Sequence, residues 1–224
     1  MLCVNGITFN MGLAHSPSII SDGLVFYLDA ANTRSYSGSG LTANGLVGGI
    51  GGTLINGVGF TSTNSGSFTF DGTNDQILLN STILSGSQDF TISAWVESTG
   101  GTGTIFANYS AGNLQMLYSP SYVGFWLDNN SAYASSANYK AGAVNFTIQR
   151  SGGSNLFVYL NGILIKTGSS NASIGSTSNF RLGASSAGNE LFQGKIYNIQ
   201  IYNRALSATE ILQNYNATRK RFGL

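Results

Sequence analysis

Nine carboxylates carry whatever acid–base or metal chemistry this 224-residue chain can do: Asp22, Asp29, Asp71, Asp75, Asp89, Glu97, Asp128, Glu190 and Glu210. Retaining hydrolysis of a glycosidic bond needs two of them about 5–5.5 Å apart. Residues two or four apart on a strand share a face, and no two acids have that spacing along one flat strand. Only Asp71 and Asp75 are close, and they straddle a turn, Asp71-Gly72-Thr73-Asn74-Asp75. No catalytic residue is therefore expected. The same turn is a candidate calcium site, in which Asp71, Asn74 and Asp75 present oxygens, joined by Asp29 from a neighbouring strand, to an ion that takes six to eight of them. The alternative is an Asx-rich turn that satisfies its own backbone. One histidine, His15, and one cysteine, Cys3, leave no His- or Cys-based metal site and no intrachain disulfide.

A second group of residues suits recognition. Tyr122, Gly124, Trp126 and Asp128 alternate with Val123, Phe125 and Leu127, so one face of that strand is core and the other carries the rings outward. Tyr122, Trp126, Asp128 and Asn130 are the candidate contacts for a glycan or a protein partner. A ring stacks on the C–H face of a sugar while Asp and Asn bond its hydroxyls. Equally, Trp and Tyr are enriched where subunits meet. Trp95, which faces away from Phe90, Ile92 and Val96, carries the same two readings. Arg219-Lys220-Arg221 is too short a basic cluster for nucleic acid, which normally meets more cations than that. It is expected to be a solvated tail or a contact with an acidic neighbour.

Composition narrows the field further. Charged residues are 8% of the chain and net charge is +1, so no strong field steers nucleic acid or an acidic partner. Hydrophobic residues at 42% and aromatics at 12% are enough for a packed core and argue against disorder. A near-neutral surface favours association, which points to a homo-oligomer or a particle-bound protein. No apolar run approaches the ~20 residues of a membrane helix. Met1–Pro17 lacks the basic residues of a secretory leader. Residues 1–21 read as an uncharged N-terminal arm and residues 22–224 as one domain.

The elements that must position these residues are strands. Gly23–Ala30, Ser67–Asp71, Gln76–Leu79, Phe90–Val96, Thr104–Tyr109, Asn113–Tyr118 and Tyr122–Asp128 recur at short spacing with turn signals between, the pattern of a sandwich or barrel. Val144–Arg150, Asn155–Asn161 and Ile163–Lys166 follow, the last two joined by Asn161-Gly162, a strong hairpin signal. Asn32–Gly59 reads as a glycine-rich loop with one short strand near Thr53–Asn56. Near the end, Ile199 and Ile201 alternate with Asn198 and Gln200. Ser207 and Glu210 then form a capping box, with Ile211, Leu212 and Tyr215 as the apolar stripe of a short helix. In all, roughly twelve to fourteen strands are expected.

Gly23-Leu24-Val25-Phe26-Tyr27-Leu28-Asp29-Ala30-Ala31-Asn32, Phe70-Asp71-Gly72-Thr73-Asn74-Asp75, Phe90-Thr91-Ile92-Ser93-Ala94-Trp95-Val96, Tyr159-Leu160-Asn161-Gly162 and Ile201-Tyr202-Asn203-Arg204-Ala205-Leu206-Ser207 stand in one order across residues 22–216. Together they resemble the laminin-G-like, concanavalin A-like lectin/glucanase jelly roll. The resemblance implies an all-β, two-sheet antiparallel sandwich with an N-terminal arm and one short C-terminal helix. The opening Leu-Asp-Ala-Ala-Asn and the later Ser-Tyr-Ser-Gly-Ser-Gly are similar to virion components of tailed phages. That similarity implies a non-enzymatic structural protein, such as a capsid decoration protein on the outer surface of the particle, with other virion proteins as partners. The alternative is an extracellular carbohydrate-binding module or adhesin. Members of the family also carry a Trp and an Asp after the Ser-Gly-Ser-Gly segment, and two acids in the last strand. Here Leu41-Thr42-Ala43-Asn44-Gly45-Leu46, Tyr197 and Asn198 stand instead, which weakens the family's calcium binding as an expectation for this chain.

Overall fold

The computed structural model describes residues 2–4, 7–9, 17–108, 114–119, 122–127, 130–135, 142–176, 180–185 and 190–224. Strands β1 (Leu2–Val4) and β2 (Ile7–Phe9) pair only with each other. The domain begins with β3 (Leu24–Asp29), β4 (Thr42–Asn44), β5 (Gly51–Ile55), β6 (Gly59–Thr61), β7 (Ser67–Asp71), β8 (Gln76–Leu79) and β9 (Phe90–Ser98). It continues with β10 (Gly103–Ala107), β11 (Leu114–Tyr118), β12 (Tyr122–Leu127), β13 (Asn130–Ser135) and β14 (Val144–Ser151). The hairpin strands β15 (Asn155–Leu160) and β16 (Ile163–Ser169) precede β17 (Arg181–Leu182) and β18 (Gln193–Tyr202). Helix α1 (Ala208–Thr218) and a 3-10 turn, Arg219–Phe222, close the chain.

Two antiparallel sheets of eight strands face each other. The first runs β16-β15-β14-β9-β18-β7-β6, with β3 also on β18. The second runs β13-β12-β11-β10-β17-β8-β5-β4. Strand β18 is the hub of the first sheet. It pairs β9 along one side, and on the other it pairs β7 through Gln193–Ile196 and β3 through Asn198–Tyr202. Between the sheets lies a continuous apolar core, and the alternation read from Phe90 to Val96 holds: Phe90, Ile92, Ala94 and Val96 are fully buried. Rings meet within it, Phe90 with Phe125 at 6.3 Å from one sheet to the other, Phe106 with Phe180 at 5.2 Å and Phe70 with Phe192 at 6.1 Å between centroids. Each such ring, once out of water, contributes about 1.5–3 kcal/mol.

Three local features differ from what the residues suggested. The glycine-rich stretch after Asn32 is mostly loop and holds β5 where a short strand was expected, but it also supplies β4 and the start of β6. A side chain at Gly52 would lie 2.7 Å from Ile77, so glycine is what lets β5 close onto β8. A stretch chosen for close approach shows no hydrophobic alternation. Strand β13, made of Asn, Ser, Ala and Tyr, gave no signal for the same reason. The helix, third, buries Ile211 and Asn214 and leaves Leu212 43% exposed. Its capping box is present, with Glu210 N–H donating to Ser207 Oγ at 3.2 Å and Ser207 N–H to Glu210 Oε2 at 2.7 Å. Its partner surface, however, is polar, so an asparagine faces inward. The Asn161-Gly162 turn is as read, both residues having positive φ, 50° and 79°.

Candidate functional site

The two outer faces of the sandwich are where side chains could meet a ligand. On the first sheet that face is closed. Thr91, Ser93, Asn145, Thr147, Gln149 and Gln200 point outward by alternation, yet all are buried. Thr91 Oγ1 donates to Arg204 O and accepts from Leu206 N–H, both at 3.0 Å. Gln149 Nε2 donates to Leu206 O at 2.7 Å, and Thr147 donates to Ser93 at 2.8 Å. Asn214 of α1 donates to the Tyr202 hydroxyl at 3.0 Å and accepts from Ile20 N–H at 2.8 Å. Burial pushes the Tyr202 hydroxyl up to about 12. The polar groups are thus satisfied by one another, by the segment Arg204–Leu206 before the helix, by the helix itself and by the chain before β3, as buried polar groups must be.

Trp95 belongs to this closed face. It is 1% exposed, stacks on Phe222 at 4.0 Å and on Tyr215 at 5.8 Å between centroids, and donates from Nε1 to Thr218 at 2.8 Å. Of its two readings, packing is the one realised. In the C-terminal basic cluster Arg219 and Lys220 are exposed, while Arg221 meets an acidic neighbour. Arg221 donates to Asp29 Oδ1 at 2.8 Å, to Asn64 O at 2.6 Å and to Gly66 O. The acid it meets is the chain's own.

The second sheet's outer face is different. Cross-strand register sets Ser131, Trp126, Gln115, Ala107, Arg181 and Leu78 in one row. The neighbouring row, through Phe125, Met116, Phe106, Leu182 and Ile77, is core and fully buried. In the outer row Gln115 and Ala107 are buried, while Trp126 is 39% exposed. Tyr122, on the same side of β12 as Trp126, is half-buried. Of the other candidates, Asn130 starts β13 opposite Leu127, and Asp128 lies outside the described residues. The sequence located Trp126 and Tyr122 but not Gln115, because β11 carries apolar residues on both faces and gives no alternation.

Five of the described carboxylates, those of Asp22, Asp29, Asp89, Glu97 and Glu210, are occupied. Glu97 accepts from Tyr197 at 2.6 Å and pairs with Lys195 at 3.2 Å. Burial raises its pKa, but those two hydrogen bonds outweigh burial and hold it below its ordinary value. Arg204 binds both Glu210, at 2.6 Å, and Asp22, at 2.9 Å. Asp89 accepts from the N–H groups of Gly152 and Gly153. Asp29 is bound by Arg221, by Ala31 N–H and by the Tyr27 hydroxyl, which together take up its carboxylate.

At the Asp71–Asp75 turn, Asp71 Oδ1 accepts from Thr73 N–H at 2.7 Å and Asp75 Oδ2 from Asp71 N–H at 3.0 Å. Asn74 contributes its carbonyl to Asn56, at 3.0 Å. Asp75 Oδ1 is buried and has no partner. Burial, opposed by the Asp71 N–H, raises the Asp75 carboxyl above its ordinary value. The residues at the calcium positions the resemblance implies do not fit that ion. Tyr197 turns its hydroxyl to Glu97, and a guanidinium, Arg221, lies over its ring at 5.7 Å.

Comparison with known proteins gives the family. The family model Laminin_G_3, the concanavalin A-like lectin/glucanases superfamily, matches residues 71–212, well over half of the chain. The chain belongs to this family. No curated protein matches it. Among solved structures, the binding domain of botulinum neurotoxin serotype G superposes with a TM-score of 0.68 at 16% identity, covering 86% of this chain and 50% of that one. Domain 4 of AbnA, a GH43 extracellular arabinanase from Geobacillus stearothermophilus, in complex with arabinotriose, gives 0.64 at 16%, covering 86% and 98%. Trypanosoma rangeli sialidase in complex with the inhibitor DANA gives 0.54 at 13%, covering 90% and 35%. The chain thus spans about half of the toxin binding domain and nearly all of the arabinanase domain. The shared feature is the lectin-type jelly roll. Among the described residues, no helix is long and apolar enough to cross a membrane.

Proposed function

We propose that the protein is a non-catalytic carbohydrate-binding domain that reads surface glycans with the outer face of its second sheet. One observation carries this: Trp126 stays exposed on a face whose other central residues are buried. An indole at such a place offers a flat apolar plate, and the half-buried Tyr122 on the same side of β12 offers a hydroxyl. This combination suits a sugar ring, whose C–H face stacks and whose hydroxyls bond. Asp128 and Asn130, the other two residues read as contacts in the sequence, follow Trp126 in the chain. A non-catalytic role is supported by Asp22, Asp29, Asp89, Glu97 and Glu210, whose carboxylates are engaged in ion pairs or backbone caps. The arabinanase domain, solved with arabinotriose, and the toxin binding domain support a binding role on this fold. A broad glycan array tests the proposal. Wild type binds a set of glycans that Trp126→Ala, folded by circular dichroism, does not. If wild type binds none, the reading is wrong.

A second reading makes this binder a decoration protein of a phage particle, exposed on the virion and held there by other virion proteins. Its support is the surface. Net charge is +1, and Ile163, Leu164 and Leu212 are 66%, 47% and 43% exposed. The Asn161-Gly162 turn brings them together, since a side chain on Gly162 would lie 3.0 Å from Leu212. The arm of residues 1–21 would dock on a neighbour. Ser18 and Ile20 are tied to α1 of their own chain, so on this reading docking would fall to residues before them. Deletion of residues 2–16 is expected to leave a folded domain that no longer co-sediments with particles; undiminished incorporation would end the arm's role.

A further inference from the structure

We propose that the apolar rim where helix α1 meets the edge strand β16 is the seat of the N-terminal hairpin of a second copy of this chain, so that two copies exchange arms. Strand β16 ends the first sheet, and an exposed apolar edge strand is a ready site of association. Leu164 of β16 is the register partner of Tyr159, and cross-strand partners share a face. Tyr159 clusters there with Tyr202, Leu206 and Ile211 of α1, and the half-buried Ile20 and Phe157 pack against them. Leu164 beside Tyr159 and Leu212 beside Ile211 form the open rim of that cluster, 47% and 43% exposed. The exposed Lys166 ends the apolar part of β16.

The occupant is carried by the arm. Strands β1 and β2 pair with each other and with no other strand of their own chain, and a lone two-stranded hairpin is marginally stable in water. Its register sets Leu2 opposite Phe9 and Val4 opposite Ile7. The period of two then puts these four apolar positions on one face, with Cys3 and Thr8 on the other. Such a hairpin needs an apolar surface to lie on, and no Asp, Glu, Lys or Arg occurs in residues 1–21 to oppose its burial. The arm also starts beside the seat. Gln213 Nε2, one residue from Leu212, donates to Ser18 O at 2.9 Å, and Asn214 accepts from Ile20 N–H at 2.8 Å. The giving site and the receiving site are therefore neighbours on α1. An exchange between two copies is then self-complementary and closes on a two-fold axis, instead of adding copies without end. This gives the arm of the second reading a partner and a seat, and it stands with or without a particle.

The test is sedimentation equilibrium of the purified full chain. Expected is a reversible dimer of twice the 23.5 kDa of one chain. Val4→Asp in the hairpin and Leu212→Asp in the seat should each raise the dimer dissociation constant about tenfold or more, with unchanged circular dichroism. A monomeric wild type overturns the proposal. So does a Val4→Asp protein that dimerises like wild type, because the interface then does without the hairpin. If Leu212→Asp fails to fold, Leu164→Ser decides: weaker dimerisation sustains the seat and unchanged dimerisation removes it. Which copy donates the hairpin is read by a disulfide trap, Cys3→Ser with Val4→Cys and Leu212→Cys, under oxidised glutathione. A disulfide between chains on a non-reducing gel sustains the exchange. One within a chain overturns it, the hairpin then covering its own domain. The particle reading fails separately: a monomeric chain that still needs residues 2–16 to join particles ends this proposal and leaves that reading standing.

Discussion

Trp95 and Trp126 stand on the outward side of strands with the same alternation, one on each sheet, and they end in opposite environments. Trp95 is 1% exposed beneath the C-terminal segment, and Trp126 is 39% exposed. The difference lies in the chain beyond β18. Helix α1 and the turn Arg219–Phe222 fold back over the first sheet and bring Tyr215, Thr218 and Phe222 to Trp95. An outward face is therefore only a candidate binding face until its cover is known. The covered face of this molecule serves stability, and the ring on the other sheet stays exposed.

The contrast can be broken most forcefully at Trp95. Trp95→Ala removes a buried ring and its hydrogen bond and is expected to cost about 3–5 kcal/mol, read as a lower urea midpoint, with α1 losing protection in hydrogen exchange. A loss below about 1 kcal/mol would mean that the C-terminal segment is not a working cover. Arg221→Ala tests the same cover at its end. It strips charged hydrogen bonds from Asp29, Asn64 and Gly66, and the expected loss is about 1.5–3 kcal/mol. Trp126→Ala should behave in the reverse manner. Stability should move by about 0.5 kcal/mol or less, while glycan affinity falls by about 2 kcal/mol or more, roughly thirtyfold. A large stability loss there would make Trp126 a second packing residue.

The smallest effect is a pH effect at the start of the helix. Hydrogen bonds from Arg204, then from the Ser207 N–H, hold the Glu210 carboxyl at about 2, against an ordinary value of 4.5. Because the folded value lies below the unfolded one, this contribution is complete above about pH 4.5 and fades as pH falls toward 2. Both side chains of the pair are about a quarter exposed, so solvent screening keeps the contribution to about 1 kcal/mol or less. Acid titration of wild type against Glu210→Gln should show a shallower decline for the variant between those limits.

Much of the architecture was legible because it rests on local patterns. Alternation in Phe90–Val96 and Tyr122–Leu127 requires one buried face, Asn161-Gly162 requires positive φ, and Ser207 with Glu210 requires a helix start. The lectin-type family also followed from ordered motifs. Strands β4 and β13 were invisible because Thr-Ala-Asn and Asn-Ser-Ala-Tyr-Ala-Ser carry no apolar period. The inward turn of Asn214 was invisible because it answers to a polar surface built by β9, β14 and β18.

By itself, then, the sequence determined the two-sheet sandwich, its turns, its capped helix and the scarcity of catalytic groups, since each depends on neighbours in the chain. Tertiary structure alone decided which tryptophan is hidden, that Arg221 meets Asp29 across 192 positions, and that one oxygen of Asp75 is buried without a partner. Those outcomes depend on segments far apart in sequence, and a one-dimensional pattern encodes which face a side chain takes but not what will lie against it.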